Sequence, residues 1–257
     1  MIFETSRRFW KTSALMIGTL GVLGGLYAAP AHAEDFAIKS KDELNALIKE
    51  FLLDNPEVIF ESVEKHRMAE EEKAQKDAMA KIKDYTTELT AVDAPSVGST
   101  SPDVTIVEFF DYNCGYCKRA LPDIQKLVKE DPKVRVVFKE MAILGPSSKT
   151  AALWSLAAHK QGKYFEYHVA LMNHRGAKDE AALMQLGKDA GLDVEKLKAD
   201  ANDPATEKML EHDMDIARDI GANGTPAFII GSQFIPGYVG EEGLKSAIAE
   251  ERQKAGN

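Results

Sequence analysis

Cysteine is scarce in this sequence: Cys114 and Cys117 are the only two among 257 residues. Small secreted proteins that depend on disulfides for stability are rich in cysteine, so a disulfide-stapled scaffold is excluded. A bridge across two intervening residues would also close a very short loop and stabilise the fold little. The pair therefore indicates a chemical role for the cysteines.

Positive charge and long apolar segments are also scarce. The chain has 32 Lys and Arg side chains against 41 Asp and Glu, which gives a net charge of −9. A surface of this charge repels nucleic acid, and we expect no nucleic-acid partner. The most apolar stretch, ALMIGTLGVLGGLYAA, is shorter and richer in glycine than a membrane span, which needs about 20 strongly apolar residues.

Residues 1–33 have the pattern of a secretory signal peptide. Arg7, Arg8 and Lys11 precede the apolar stretch, and the small-residue sequence AHA ends at Ala33. This order is typical of a cleavable signal, so we expect export to the periplasm. An uncleaved membrane anchor is the alternative.

Residues 34–91 are predicted to form an N-terminal helical segment and a charged spacer. A capping-box pattern from Ser40 to Glu43 opens the first helix. An apolar stripe at helical spacing follows, made of Leu44, Leu47, Ile48 and Phe51. The Ala, Glu and Lys residues after Lys65 predict a solvated helix or semi-rigid spacer outside the core. The Pro, Gly and Ser content of residues 92–103 predicts a linker.

The short apolar helix has two interpretations. It either folds back onto the main domain, or residues 36–65 associate with other copies of the chain, which makes a homo-oligomer. The apolar pattern is too short to fix the number of copies.

Residues 104–257 are predicted to form the main domain, of the α/β class. β-Branched and aromatic residues predict strands at 104–110 and 134–141, and a helical pattern joins them in a βαβ unit. The patterns of residues from about 146 to 222 predict successive helices that end at glycines. Two strands and a helix are predicted after them. The two cysteines stand where the first strand leads into its helix.

That position favours redox chemistry. Backbone N–H groups and the positive end of the helix dipole would stabilise a thiolate at Cys114. In such motifs the thiol pKa falls from about 8.5 to between about 3.5 and 7. We expect Cys114 to be the attacking nucleophile and Cys117, one turn later and more shielded, to be the resolving thiol.

A metal site is the alternative interpretation of the pair. A closed zinc site needs four ligands, and the histidines of the helical region do not have chelating spacing; they are His159, His168, His174 and His212. Copper(I) is the ion that two thiolates suit best. We expect no metal and no cofactor in the main role.

Two further features support the redox interpretation. Glu108 lies inside an apolar strand, where a carboxylate needs a partner or a proton, so it is a candidate to take the proton of Cys117. Lys139 in the second strand is a candidate partner for Glu108. Thr225-Pro226 directly precedes a predicted strand, where a proline belongs at the strand start.

The segments VEFFDYNCGYCK and GTPAFIIG, with the helical region between them, resemble the DsbA-like branch of the thioredoxin superfamily over roughly residues 100–255. The resemblance implies a thioredoxin fold with an inserted helical domain. It implies that Pro226 is cis and lies beside Cys114, that Thr225 and Tyr116 contact the substrate, and that Glu108 is the buried acid with Lys139 as its neighbour.

The leader LNALIKEFLLDNPEVIFESVE resembles that of the ScsC-like subgroup, some of whose members are trimers. This implies an oligomeric disulfide isomerase or reductase, with client proteins and a membrane redox partner. A monomeric DsbA-like oxidase is the alternative within enzymes, although Gly115-Tyr116 lacks the imidazole of strong oxidases. If the chain is not an enzyme, the alternative is a copper-handling or surface binding protein.

Overall fold

The computed structural model describes residues 38–256. These residues divide into two units, with the boundary between Val58 and Ile59. The predicted signal at residues 1–33 lies outside the described residues. No helix within the described range is both long and apolar enough to cross a membrane.

In the first unit, α1 (Lys41–Asp54) is followed by the start of α2 (Pro56–Asp84). The Ser40 hydroxyl accepts a hydrogen bond from the Glu43 N–H at 3.1 Å, as the capping-box pattern predicts. The Glu43 carboxylate accepts one from the Lys39 N–H at 2.8 Å. No residue of α1 is buried, and its apolar stripe is exposed, Phe51 to 54%.

The second unit contains the rest of α2, a mixed sheet and further helices. The bounds are α3 (Thr86–Leu89), β1 (Ser96–Gly98), β2 (Val104–Phe110), α4 (Gly115–Glu130), β3 (Val134–Glu140), α5 (Pro146–His159), α6 (Tyr164–Asn173), α7 (Glu180–Asp189), α8 (Val194–Ala201), α9 (Pro204–Asp219), β4 (Ala227–Ile230), β5 (Gln233–Pro236) and α10 (Gly240–Ala255).

The sheet has the strand order β1-β3-β2-β4-β5, in which β2 and β3 are parallel and the other pairs are antiparallel. Because side chains alternate along a strand, each face receives every second residue. The first face carries Ile106, Glu108 and Phe110 and packs against α4, α6 and α10. The second face carries Val107 and Phe109 and packs against α9 and the end of α2. Both faces are covered, which explains why apolar residues predominate at successive positions of β2 and β3.

The end of α2 corrects the prediction of a spacer outside the core. Ala78 and Ile82 are buried and pack in the same cluster as Phe109 and Ile216. These two apolar residues are one turn apart, so they lie on one side of a helix whose other sides are charged. Two apolar positions in a charged sequence are too weak a pattern to predict burial.

The prediction of a linker at residues 92–103 is also corrected, because β1 lies within it and pairs with β3. Arg135 of β3 donates hydrogen bonds to the carbonyl oxygens of Thr90, Ala91 and Val92, at 2.7–3.1 Å. At Gly98, φ is +101° and a Cβ would come within 2.4 Å of a carbonyl oxygen of β3, so the close approach of β1 requires glycine.

Replacing Ile82 by alanine should lower the free energy of unfolding by about 3 kcal/mol, because it leaves a cavity between α2 and the sheet. Urea unfolding of the full chain measures the change. Lys83→Ala, at the exposed neighbouring position, is the control and should change stability by less than about 0.5 kcal/mol. Equal effects of the two substitutions would show that α2 does not pack on the sheet.

Candidate active site

Cys114 and Cys117 stand at the junction of β2 and α4. The turn 111–113 follows β2, and Cys114 is the N-cap of α4 with an extended backbone. Both cysteines are free thiols; Cys114 is 7% exposed and Cys117 is 1% exposed. The sulfur that can meet a substrate is therefore that of Cys114.

The surroundings of Cys114 stabilise its thiolate. The Cys117 thiol donates a hydrogen bond to its sulfur, the Thr225 side chain adds another, and the backbone N–H groups of Cys117 and Tyr116 face it. These donors outweigh the cost of burial and lower the pKa of Cys114 to about 5. At neutral pH this group is an anionic nucleophile.

Cys117 has the opposite electrostatics. Burial first, then its hydrogen bond to Cys114 and the charge of Glu108, raise its pKa well above the ordinary value. A thiol of this kind stays protonated and unreactive until its proton is removed. The two cysteines therefore differ in the way an attacking and a resolving thiol must differ.

Glu108 is buried in the first face of the sheet, 1% exposed. The register places Phe138 and Phe228 on either side of it, and neither can donate a hydrogen bond. Its Oε1 is a buried oxygen without a hydrogen-bond partner in residues 38–256. Burial, followed by the charge of Cys114, raises the pKa of Glu108 to about 8, so the carboxyl is largely protonated at neutral pH.

The predicted pair of Glu108 and Lys139 does not form. Lys139 is paired with Phe109 in the register, so its side chain points to the second face of the sheet while Glu108 points to the first. There Lys139 Nζ forms a buried salt bridge of 2.9 Å with Asp213 of α9. Its contacts are those of a structural residue, away from the cysteines.

Pro226 lies beside the cysteines, as the resemblance implies. The Thr225–Pro226 peptide bond is cis. Cys114 Sγ lies 3.2 Å from the carbonyl oxygen of Thr225, which is 111 residues away in the sequence. Tyr116 is 56% exposed, and the Arg119 guanidinium lies 5.1 Å from its ring centroid. The exposed ring of Tyr116 thus belongs to the surface around Cys114.

Asp111 is a site residue that the sequence analysis did not identify. Its buried carboxylate accepts hydrogen bonds from the N–H groups of Asn113, Ile143 and Leu144 and from the Ser148 hydroxyl, at 2.7–2.9 Å. It therefore fixes the turn before Cys114 to the segment after β3. A polar residue directly after a buried strand is the only signal in the sequence, and it does not reveal partners over 30 residues away.

The inserted region, including the loop between α6 and α7, also holds this turn. Lys178 Nζ donates to Asn113 Oδ1 at 2.7 Å. The Tyr112 hydroxyl lies 2.6 Å from Ser155 Oγ and 3.0 Å from His168 Nδ1. Burial lowers the pKa of His168 to about 3, so this ring is neutral. Among the described residues, no three His, Cys, Asp or Glu side chains form a group able to hold a metal ion.

Comparison with known proteins assigns the family. Residues 105–249 match the DSBA-like thioredoxin domain, and the chain belongs to this family of thiol–disulfide oxidoreductases. A thioredoxin-like oxidoreductase from Silicibacter pomeroyi DSS-3 is 42% identical, with a TM-score of 0.60; the match covers 63% of this chain and 93% of that one.

Two further relatives extend the comparison. A linker-deletion variant of Proteus mirabilis ScsC is 27% identical, with a TM-score of 0.66 and a match over 86% of this chain and 99% of that one. Disulfide bond formation protein D of Bacillus subtilis is 25% identical over 61% of this chain and 76% of its own length. The chain also matches Na⁺/H⁺ antiporters, such as NhaA 3 of Salinispora tropica at 28% identity. That match covers 59% of this chain but only 24% of the antiporter.

Alkylation of the reduced protein by iodoacetamide should be restricted to Cys114 at pH 6 and should rise with a midpoint near pH 5, because only the thiolate reacts. Peptide mass spectrometry at a series of pH values measures this. Cys114→Ser is the control and should show no alkylation of Cys117 in the same range. A midpoint near the ordinary thiol pKa of about 8.5 would contradict the proposed stabilisation.

Glu108→Gln should stabilise the reduced protein increasingly as the pH rises from 5 to 8. The folded-state pKa of about 8 lies above the ordinary value of 4.5, so the contribution of the protonated acid is complete below pH 4.5 and is lost as the pH rises through 8. Glutamine does not ionise and avoids this loss, which is about 4 kcal/mol at pH 8.

Urea unfolding of both proteins at pH 5 and pH 8 measures this difference. Glu250→Gln, at an exposed position, is the control and should show no pH-dependent gain. A difference between Glu108→Gln and the wild type that does not change with pH would show that Glu108 is not buried as an acid.

Proposed function

We propose that the chain is an exported thiol–disulfide isomerase or reductase that acts on the disulfides of client proteins. The observation that carries this proposal is the contrast between the ionised Cys114 beside Thr225, which is the more accessible of the two cysteines, and the protonated, more deeply buried Cys117. Attack on a disulfide requires a thiolate such as that of Cys114, and release of the client from the mixed disulfide by reduction requires a resolving thiol such as that of Cys117.

The first step is attack of the Cys114 thiolate on one sulfur of a client disulfide. The client S–S bond breaks, a mixed disulfide with Cys114 forms, and the other client sulfur leaves as a thiolate. If another client thiolate then attacks the mixed disulfide at the client sulfur, Cys114 is released as a thiolate. The client has then been isomerised without net oxidation or reduction.

The reductive branch uses Cys117. Its thiolate attacks Cys114 Sγ, the client leaves as a thiolate, and a Cys114–Cys117 disulfide forms, so two electrons pass to the client. The proton of Cys117 goes to Glu108. In the mixed disulfide Cys114 carries no charge, which removes the smaller of the two causes that raise the pKa of Glu108; the pKa falls, and the carboxylate that accepts the proton is favoured at this step.

Thr225, Pro226 and Tyr116 are the proposed client contacts. The carbonyl of Thr225 lies beside Cys114 Sγ, where an extended client segment would pass with its cysteine at the sulfur. Tyr116 adds an exposed aromatic surface of the kind enriched at protein interfaces. A membrane redox partner would return the pair to the dithiol state.

The first unit supports self-association. The stripe on α1 is exposed along its length, and residues 36–65 are the proposed contact between copies, with a trimer favoured by the resemblance to ScsC-like proteins. An assembly of several active sites would hold a misfolded client while different disulfides are tried.

The monomeric oxidase is the second candidate, and the low pKa of Cys114 favours it. Stabilisation of the thiolate stabilises the reduced form, which makes the Cys114–Cys117 disulfide more oxidising. The two candidates differ in the direction of electron flow and in the need for assembly.

The double variant Leu47→Glu, Phe51→Glu should be monomeric and should lose most of its isomerase activity, because buried charges would oppose association of the stripe. Light scattering gives the mass, and recovery of scrambled ribonuclease gives the activity. Asn45→Glu, Ala46→Glu introduces the same charge elsewhere on α1 and is the matched control. Cys114→Ala should abolish all exchange.

An unchanged mass in the double variant would remove the proposed assembly. A monomer that retains isomerase activity would show that assembly is not needed. A wild-type protein that oxidises reduced ribonuclease but cannot rearrange the scrambled form would establish the oxidase instead.

A further inference from the structure

A cluster of buried polar side chains surrounds Tyr112 of the turn before Cys114, and the exchange steps described above do not use it. The other members come from the end of β3, from α5 and from α6; they are Glu140, Ser155, Tyr164 and His168. Each of the five residues is exposed to 4% or less. Polar groups at this depth must find their partners within the cluster, so its geometry is closely determined.

The hydroxyl of Tyr112 is the centre of the cluster. It lies 2.6 Å from Ser155 Oγ, 3.0 Å from His168 Nδ1 and 3.4 Å from Glu140 Oε1. The same carboxyl oxygen accepts a hydrogen bond from the Tyr164 hydroxyl at 3.0 Å. A phenolic hydroxyl has one proton to donate and lone pairs that accept, so these neighbours use its bonding capacity. A single oxygen atom thereby joins the turn to β3, α5 and α6.

The cluster carries no net charge at neutral pH. Burial raises the pKa of Glu140 well above its usual value and raises that of Tyr112, so both stay protonated. Burial also lowers the pKa of His168 to about 3, which leaves the ring neutral. A neutral cluster exerts no strong electrostatic force on the sulfur of Cys114. Any influence on the thiolate must therefore pass through the position of the turn.

The turn is held from two sides. The side chains of Asp111 and Asn113 bond to the segment 143–148, which follows β3. The Tyr112 side chain, which lies between them in the sequence, bonds to α5 and α6 instead. The hydroxyl of Tyr112 is thus the link between the turn and the core of the inserted helices.

The position of the turn decides where the Cys114 sulfur lies. The Cys114 N–H donates a hydrogen bond to the carbonyl oxygen of Asp111 at 3.0 Å, so the turn holds the N-cap residue. The N–H groups of Tyr116 and Cys117 stabilise the thiolate from the first turn of α4. Because hydrogen bonds weaken steeply with distance and angle, a displaced turn would stabilise the thiolate less.

We infer that Tyr112 is a positioning residue for the exchange reaction: its hydroxyl, held by Ser155 and His168, keeps the turn where α4 stabilises the Cys114 thiolate. The inserted helices thus help to set the reduction potential of the cysteine pair. Loss of these bonds would weaken the thiolate, destabilise the reduced form and make the disulfide less oxidising. The inference rests on the proposed exchange at Cys114 and holds for either direction of electron flow.

Tyr112→Phe tests the inference, because it removes the hydroxyl and keeps the ring, whose centroid lies 5.0 Å from that of Phe110. The pH midpoint for alkylation of Cys114 should rise from near 5 to about 6. At pH 7 and a fixed glutathione ratio, the ratio of oxidised to reduced protein should rise about tenfold, since the same loss of thiolate stabilisation governs both measurements. This change corresponds to a reduction potential lower by about 30 mV.

Tyr167→Phe is the matched control. Tyr167 is buried in α6, and its hydroxyl donates to the carbonyl oxygen of Leu183 in α7 at 3.0 Å, so this bond lies within the inserted region. The variant loses a buried hydrogen bond as Tyr112→Phe does, and urea unfolding should show that it is less stable than the wild type. Its alkylation midpoint and its equilibrium with glutathione should keep the wild-type values.

Ser155→Ala replaces Tyr112→Phe if that variant does not fold. It removes the shortest bond of the Tyr112 hydroxyl and leaves the one to His168. Both measurements should move in the same direction as for Tyr112→Phe, by a smaller factor. Circular dichroism checks that each variant is folded.

Wild-type values of both measurements in Tyr112→Phe would overturn the inference, and so would equal shifts in Tyr112→Phe and Tyr167→Phe, because the hydroxyl would then only stabilise the fold. A changed equilibrium with an unchanged alkylation midpoint would also overturn it, because the effect would then lie in the disulfide form. Failure of the wild type to exchange with glutathione would contradict the proposed function, and the alkylation midpoints would still decide the role of Tyr112.

Discussion

The contact between Cys114 and Thr225 is the interaction on which the site depends. It joins two segments 111 residues apart, and the sheet brings them together because β2 and β4 are neighbours. β2 leads through the turn 111–113 to Cys114, the N-cap of α4, so the free N–H groups of the helix face the same sulfur. The order of the strands, the start of α4 and the loop that carries Pro226 thus all determine the surroundings of one atom, Cys114 Sγ.

The two faces of the sheet separate two kinds of buried charge. Glu108 lies on the sheet face that packs against α4, and its partners in the strand register are both aromatic. Its carboxyl group is mostly protonated, and therefore neutral, at pH 7. Lys139 lies on the opposite face with Asp213, where each charge has a partner. The pKa of Glu108, about 8, lies close to neutral pH, so this acid can both hold and release a proton there, which suits it to proton transfer.

Features that depend on a short stretch of the chain could be predicted from the sequence. The cysteine pair lies at a strand–helix junction, and the local order of residues 104–130 alone indicates this. The position of Lys139 was predicted wrongly, because its face depends on the register between β2 and β3, and a change of one residue reverses it. Asp111 was missed because its partners lie in a loop whose position follows only from the folded chain.

The attachment of residues 90–92 to the sheet has an evolutionary consequence. Arg135 binds three carbonyl oxygens of the main chain, which every amino acid possesses. Those three positions can therefore accept many substitutions without losing the hydrogen bonds that hold them. The constraint falls on Arg135 alone, so the segment can vary between relatives while a single arginine preserves its path.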